Sequence, residues 1–244
     1  MERSDELRPG GLRIYYDDTL FPPGTDSFLL SAFPRLKGGL RVCDLGSGTG
    51  LLGTLLLQRR DDLTVTGIEL LPQAADLARR GAEANGIADR ITTITGDLRD
   101  VRQLLPAGSF DLVIANPPYY PLASGALSPD DARRAARAET ACTLADIFRA
   151  AAWLLRWGGS FCLVHKPERL TDLLCAARDA GLEPKRLRLV SPAADRSPSL
   201  VLLECRRGGI PGLDIQPPLI LNPPDGRPTP ELDAIYFRTT EDTP

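Results

Sequence analysis

LRVCDLGSGTGLLG, residues 40–53, decides the fold. The apolar run Leu40–Leu45 has the form of a strand buried on both faces, and it ends at alternating glycines, Gly46, Gly48 and Gly50. Apolar residues at helical spacing resume at once, over Thr49–Arg60. A strand that passes through a glycine turn into a helix lets backbone N–H groups and the positive helix end approach a ligand closely. The alternation continues outward. Leu63–Glu69, Ile91–Thr95, Asp111–Asn116, Ser160–His165, Arg186–Val190 and Leu200–Cys205 are short apolar or β-branched runs, which with Leu40–Leu45 makes seven predicted strands. Leu71–Asn85, Thr143–Trp157 and Pro167–Ala180 read as helices, with Gly86, Gly158 and Gly181 near their C-caps. This order predicts an α/β fold with a doubly wound parallel sheet, whose ligands bind beyond the carboxyl ends of the strands.

The glycine turn is ambiguous by itself. Gly48-x-Gly50-x-x-Gly53 matches the dinucleotide fingerprint, and Glu69, 19 residues after Gly50, closes the second strand where a carboxylate would bind both hydroxyls of a ribose. NAD and S-adenosylmethionine both present such a ribose. Asp44 and Asp97 separate them. A carboxylate at Asp44, before the first glycine, would repel a pyrophosphate but favours a ligand whose sulfonium and ammonium are cationic. Asp97, in TGDL after the third strand, is placed either to accept an adenine amino group or to N-cap the following turn. A Walker A loop is excluded, because no Gly-Lys-Ser/Thr follows these glycines.

Asn116-Pro117-Pro118-Tyr119 ends the fourth strand. An exocyclic amine on a base, or an amide nitrogen, is a poor nucleophile because its lone pair is delocalised. The Asn116 side-chain oxygen and the Pro117 carbonyl, aimed at its two hydrogens, would favour the pyramidal form as a methyl group arrives. Consecutive prolines stiffen the loop that holds this carbonyl, and Tyr119 offers a face for a base to stack on. No strong general base is needed, which agrees with a chain whose only histidine is His165. His165 ends the fifth strand, either lining the substrate side or serving as a structural histidine. The alternative for the four-residue motif is a plain Pro-Pro turn.

Composition bounds the rest. The 244 residues are 43% hydrophobic and 25% charged, as for one large globular domain with a short appendage. No apolar run is long enough for a membrane span and the N-terminus lacks a secretory apolar core, so a cytoplasmic protein is expected. Five cysteines fall in no metal-ligand spacing, so neither a disulfide framework nor a metal site is signalled. The net charge of −3 hides an uneven distribution, since residues 131–210 carry a net +5 while the segments on either side carry −4 each. That excess is either a surface for a polyanion or a solvated face. The N-terminal segment reads as a loop followed by a helix with Thr25 or Asp26 as N-cap. Pro121–Ala132 reads as a lid or an ordinary loop. The tail beyond Gly209, with eight prolines from Pro211 to Pro244, reads as an extended strap or a partly disordered end.

The glycine turn, GIELLPQAADLARRGAEANGIADRI, GDL and NPPYY resemble class I S-adenosylmethionine-dependent methyltransferases. FPPGTDSFLLSAF, ARAETACTLADIFRAAAWLLRWGG, VHKPERLTDLL, GLEPKRLRLV, LVLLE and GIPGLDIQPPLIL narrow this. Over about residues 13–237 the chain resembles the bacterial valine-tRNA adenine-N6-methyltransferases. The DSF segment after Thr25 departs from the apolar run of many relatives, and the surface is rich in arginine and poor in lysine.

The resemblance implies a Rossmann-like class I methyltransferase fold, a seven-stranded mostly parallel sheet with helices on both faces. It implies a covering segment at 1–36, the methyltransferase domain at 37–209 and a Pro-rich extension at 210–244. S-adenosyl-L-methionine would be held by Thr25, Asp26, Asp44, Gly46, Ser47, Gly48, Thr49, Gly50, Glu69, Leu70, Gly96, Asp97, Leu98 and Asn116. Asn116, Pro117, Pro118 and Tyr119 would hold an anticodon-loop adenine, presented single-stranded or flipped. The tRNA phosphates would meet Arg133, Arg134, Arg137, Lys166, Arg169, Lys185, Arg186 and Arg188. Two alternatives stay open: a protein glutamine-N5 methyltransferase, whose target amide is also planar, and a non-catalytic subunit of this fold that binds RNA or a partner.

Overall fold

The computed structural model describes residues 2–17, 24–118, 142–223 and 226–238. Tyr119, the Pro121–Ala132 segment, Arg133, Arg134 and Arg137 lie outside them. In chain order the elements are β1 (Glu2–Glu6), β2 (Arg13–Asp17), α1 (Thr25–Ala32), β3 (Arg41–Leu45), α2 (Leu51–Arg59), β4 (Thr64–Glu69), α3 (Pro72–Ala84), β5 (Ile91–Thr95), α4 (Val101–Leu104), β6 (Phe110–Ala115), α5 (Leu144–Leu154), β7 (Leu155–His165), α6 (Leu170–Asp179), β8 (Leu182–Ser191), β9 (Leu200–Arg207), β10 (Asp214–Ile220) and α7 (Pro230–Ile235).

The main sheet has the order β10-β8-β9-β7-β6-β3-β4-β5, with β9 antiparallel to both neighbours and every other pairing parallel. From β3 the chain winds one way through β4 and β5, then returns to place β6 on the other side of β3. The winding therefore reverses between β3 and β6, and the crevice at their carboxyl ends is where such sheets bind ligands. Side chains alternate across the sheet as its pleat requires. Val42, Leu112, Ile114, Cys162 and Val164 pack with α1, α2 and α7, while Cys43, Val113, Ala115, Phe161 and Leu163 pack with α5 and α6. Burial on both faces explains the uninterrupted apolar runs.

The doubly wound, mostly parallel sheet is as expected, and the structure differs from or adds to the expectations in four details. The sheet has eight strands, because β10, from the Pro-rich tail, pairs in parallel with β8; Pro217 and Pro218 are tolerated where the register shifts, on an edge strand. The helix expected to run to Trp157 ends at Leu154, and β7 starts at Leu155. There Gly158 takes φ 80 inside the strand, not beside a helix end, and the β6–β7 register jumps from Phe110↔Leu155 to Leu112↔Ser160. The N-cap of α1 is Gly24, and Thr25 and Asp26 form its first turn. Residues 2–17 form an antiparallel hairpin, β1–β2, which its charged, unpatterned sequence did not announce. It is tied down by Arg80 to Glu2 at 2.7 Å and by Asn85, which exchanges hydrogen bonds with the Arg13 backbone at 2.7 Å.

Candidate active site

The glycine turn leaves β3 with Gly46, Gly48 and Gly50 at φ 73, 54 and 81, a region open to glycine at little cost. It is fastened to β4, since Gly46 and Ser47 N–H both donate to the Ile68 carbonyl, at 2.9 and 3.1 Å. Such a close approach requires Gly67 in β4, where a Cβ would lie 2.5 Å from Ser47 Oγ and 2.7 Å from Ser47 Cβ. A glycine inside a strand marks close approach of this kind, and Gly67 was not singled out from the sequence. Thr49 is buried in the same turn.

Three carboxylates stand along the carboxyl edge. Glu69, at the end of β4, accepts from Gly48 N–H on Oε2 and from Leu71 N–H on Oε1, both at 2.8 Å, so its head is fixed by backbone donors. A carboxylate has about four acceptor positions, which leaves room for a ligand's hydroxyls. Asp97 follows β5. It accepts from Arg99 N–H at 2.9 Å as N-cap of the turn at Leu98–Asp100, and it pairs with the Arg99 guanidinium at 2.5 Å, which holds its carboxyl below the usual range. The capping role is therefore present, and Arg99 is a partner the sequence reading missed. Gly96 N–H donates to the Glu69 carbonyl at 2.9 Å and joins the two strand ends, while Leu70 is half exposed beside them.

Asp44 differs from both. Its side chain is buried, and neither carboxyl oxygen has a hydrogen-bond partner; Ser47 Oγ is buried and unpartnered as well. Burial, with the Glu69 charge adding to it, pushes the Asp44 carboxyl up to about 8. A buried acid without a partner is costly and calls for an explanation. A cationic ligand supplies one: it would restore the charge to Asp44, as the phosphates of a dinucleotide would not.

Asn116 follows β6 directly, and β6 pairs with β3 through Leu45↔Ala115, so Asn116 stands beside the glycine turn at the point where the winding reverses. Its Nδ2 donates to Ser27 Oγ, in the first turn of α1, at 3.1 Å. This contact brings Thr25 and Asp26 to the same edge. Pro117 and Pro118 continue from Asn116. His165 is 3% exposed at the end of β7; its Nδ1 accepts from Lys166 N–H at 2.8 Å, and burial holds it down to about 4, hence neutral. Among the described residues no group of three or more His, Cys, Asp or Glu could hold a metal ion.

The basic residues separate. Lys166 is exposed and Arg169 half-buried, just past the carboxyl end of β7, with Arg169 paired to Asp172 at 2.5 Å. Three others are corrections. Arg186 is 9% exposed, pairs with Glu204 at 2.7 Å and lies over the Phe33 ring at 4.0 Å, so a phosphate cannot reach it. Arg188 donates to Glu231 Oε2 at 2.9 Å and to the Pro217 carbonyl at 3.0 Å, and Lys185 donates to the Ile210 and Gly212 carbonyls at 3.0 and 2.6 Å. Lys185 and Arg188 thus bind the C-terminal segment to the sheet, while Arg186 ties β8 to β9 and to the end of α1.

The switch-point crevice, the buried acid, the fixed carboxylate of Glu69 and the Asn-Pro-Pro turn define a class, the S-adenosylmethionine-dependent methyltransferases. The model of the methyltransferase small domain family matches residues 21–172. The chain is 34% identical to a tRNA1(Val) (adenine(37)-N6)-methyltransferase of Porphyromonas gingivalis, over 89% of this chain and 86% of that protein. It is 32% identical to the protein of the same description from Tolumonas auensis, over 88% and 90% of the two chains. The chain belongs to the methyltransferase small domain family and to the family these relatives form. Among solved structures, a protein described as a predicted O-methyltransferase from Agrobacterium tumefaciens shares the fold, with a TM-score of 0.73 at 23% identity over 87% of this chain and 96% of that one.

Proposed function

We propose that the protein methylates N6 of adenine 37, in the anticodon loop of a valine tRNA, using S-adenosyl-L-methionine. With tRNA as substrate goes a cytoplasmic location. One observation carries the reading: Asn116 emerges from β6 next to β3, whose Asp44 is buried without a partner. The relatives at 32–34% identity, named for this reaction, supply the substrate.

S-adenosyl-L-methionine, when bound, supplies an electrophilic methyl group on a sulfonium. Asp44 would balance its cationic part, with Ser47 and the glycine turn alongside, and Glu69 would accept the ribose hydroxyls. Gly96, Asp97 and Leu98 would take the adenine edge, with Leu70 beside it and Thr25 and Asp26 covering the site. The Asn116 side-chain oxygen and the Pro117 carbonyl accept hydrogen bonds from the target amine and favour its pyramidal form in the transition state. Pro118 stiffens that turn, and Tyr119, outside the described residues, would offer its ring to the target base. Once methylated, the nitrogen is a cation that loses its proton to water, so no side chain acts as a base. An adenine inside a duplex would not reach Asn116, and a loop base does.

The test is incubation with labelled S-adenosyl-L-methionine and an unmodified valine tRNA transcript, followed by nucleoside mass analysis and site mapping. N6-methyladenosine at position 37 is expected, and Asn116→Ala should lower kcat by about 10²–10³-fold. Label in a protein glutamine and none in RNA would instead identify the glutamine-N5 reaction. Absence of transfer to either would mark a non-catalytic subunit.

A further inference from the structure

We propose that Ser27 is a positioning residue that fixes the Asn116 carboxamide for methyl transfer. The inference rests on the reading of Asn116 as the acceptor of the target amine. A carboxamide is planar, with an acceptor at one end and a donor at the other, and rotation by a half turn exchanges them. An enzyme that uses the oxygen must hold the nitrogen elsewhere. Ser27 Oγ accepts from Asn116 Nδ2 at 3.1 Å, and Ser27 is 6% exposed, so water has little access to compete for this bond. The two residues are 89 positions apart, so α1 must be held against β6 for the bond to exist.

By itself α1 is poorly suited to that task. It has eight residues and no side-chain hydrogen bond at its Gly24 cap, and isolated helices this short are marginal. Its anchorage is tertiary. Arg59, in the last turn of α2, donates through Nε to Ser31 Oγ at 3.0 Å and through its terminal nitrogens to the Ala234 and Ile235 carbonyls at 3.1 and 2.6 Å. Phe28 packs against Tyr236 with ring centroids 5.5 Å apart, and the Arg59 guanidinium lies 4.4 Å from the centre of the Phe237 ring. Phe237 has φ 57, the one positive φ outside glycine among the described residues, so the chain there adopts a backbone that a bulky residue rarely takes. The end of the C-terminal segment thus closes over α1 and Arg59, and α1 presents Ser27 to Asn116.

The experiment compares Ser27→Ala, Ser27→Thr, Asn116→Ala and the Ser27→Ala/Asn116→Ala double variant on the tRNA substrate. Ser27→Ala is expected to lower kcat about 3–10-fold, a fraction of what loss of Asn116 costs, with KM for S-adenosyl-L-methionine and Tm close to wild type. Ser27→Thr keeps the hydroxyl and should retain kcat within about twofold of wild type. In the double variant the Ser27 change should cost nothing further, because its only effect runs through Asn116. An unchanged kcat in Ser27→Ala, or the same loss with and without Asn116, would overturn the proposal and leave the adenine reading intact. An Asn116→Ala protein with full activity would remove the adenine reading itself.

Discussion

At the scale of single residues, Asp44 shows function opposing stability. Its carboxyl titrates near 8 in the folded chain because burial and Glu69 disfavour its charge, against about 3.9 in an unfolded one. A carboxyl with a raised folded value stabilises the fold fully only below the unfolded value, and that contribution is lost as pH rises toward 8. Asp44→Asn should therefore raise the Tm of the cofactor-free protein at pH 8 and flatten its decline between pH 5 and 8, by about 1–3 kcal/mol at the upper end. The same change should weaken binding of S-adenosyl-L-methionine more than of S-adenosylhomocysteine, which lacks the sulfonium charge. In the wild type, binding should tighten as pH rises from 6 to 8, with proton uptake by buffer, as calorimetry in buffers of differing ionisation heat would read. Equal affinity of Asp44→Asn for the cationic ligand would refute the role. Asp44 was legible because a carboxylate before a glycine turn has a chemical meaning. Ser27 and Arg99 were not, since each acts through a contact that only the folded chain creates.

At the scale of elements, periodicity located most strands and helices, and failed where two signals merged. Leu154 and Leu155 continue one apolar pattern, yet the first ends α5 and the second opens β7. Only the bulge around Gly158 tells them apart, and a glycine beyond an apolar run reads equally as a helix stop. At its other end α5 is unambiguous: Thr143 Oγ1 accepts from Asp146 N–H at 3.2 Å, while the Asp146 carboxylate accepts from Thr143 N–H at 2.9 Å. Thr143→Ala should cost about 1 kcal/mol of stability, read as a lower Tm, with cofactor affinity unaffected. A loss no greater than that of an exposed mid-helix substitution would show that packing on β6 and β7 alone holds the helix. β10 escaped notice for another reason. Its pattern is exposed and broken by prolines, and it is a strand because β8 offers it an open edge.

At the scale of the whole molecule, charge counted along the chain misleads about where a polyanion binds. Residues 131–210 hold the basic excess, but several of their basic side chains already have partners. Arg178 pairs with Glu183 and Arg186 with Glu204 inside the segment, while Arg188 and Arg156 pair with Glu231 and Asp111 outside it. Lys166 differs by position. It is exposed, two residues beyond Val164, which is level with Asn116 because Ala115 pairs with Leu163 across β6 and β7. Phosphates near a base held at Asn116 would pass that edge, whereas β8 lies beyond β9 toward the far side of the sheet. Each neutralised phosphate releases counterions and contributes close to one unit to the slope of log affinity against log salt. Lys166→Ala should thus reduce the slope for tRNA by about one and weaken binding similarly across RNA sequences. Arg188→Ala should leave the slope unchanged and lower Tm, because it frees Glu231 and loosens the hold of β8 on the C-terminal segment. Equal slope changes in the two variants would mean that the RNA crosses the sheet toward β10, and that the ion pairs of β8 open to receive it.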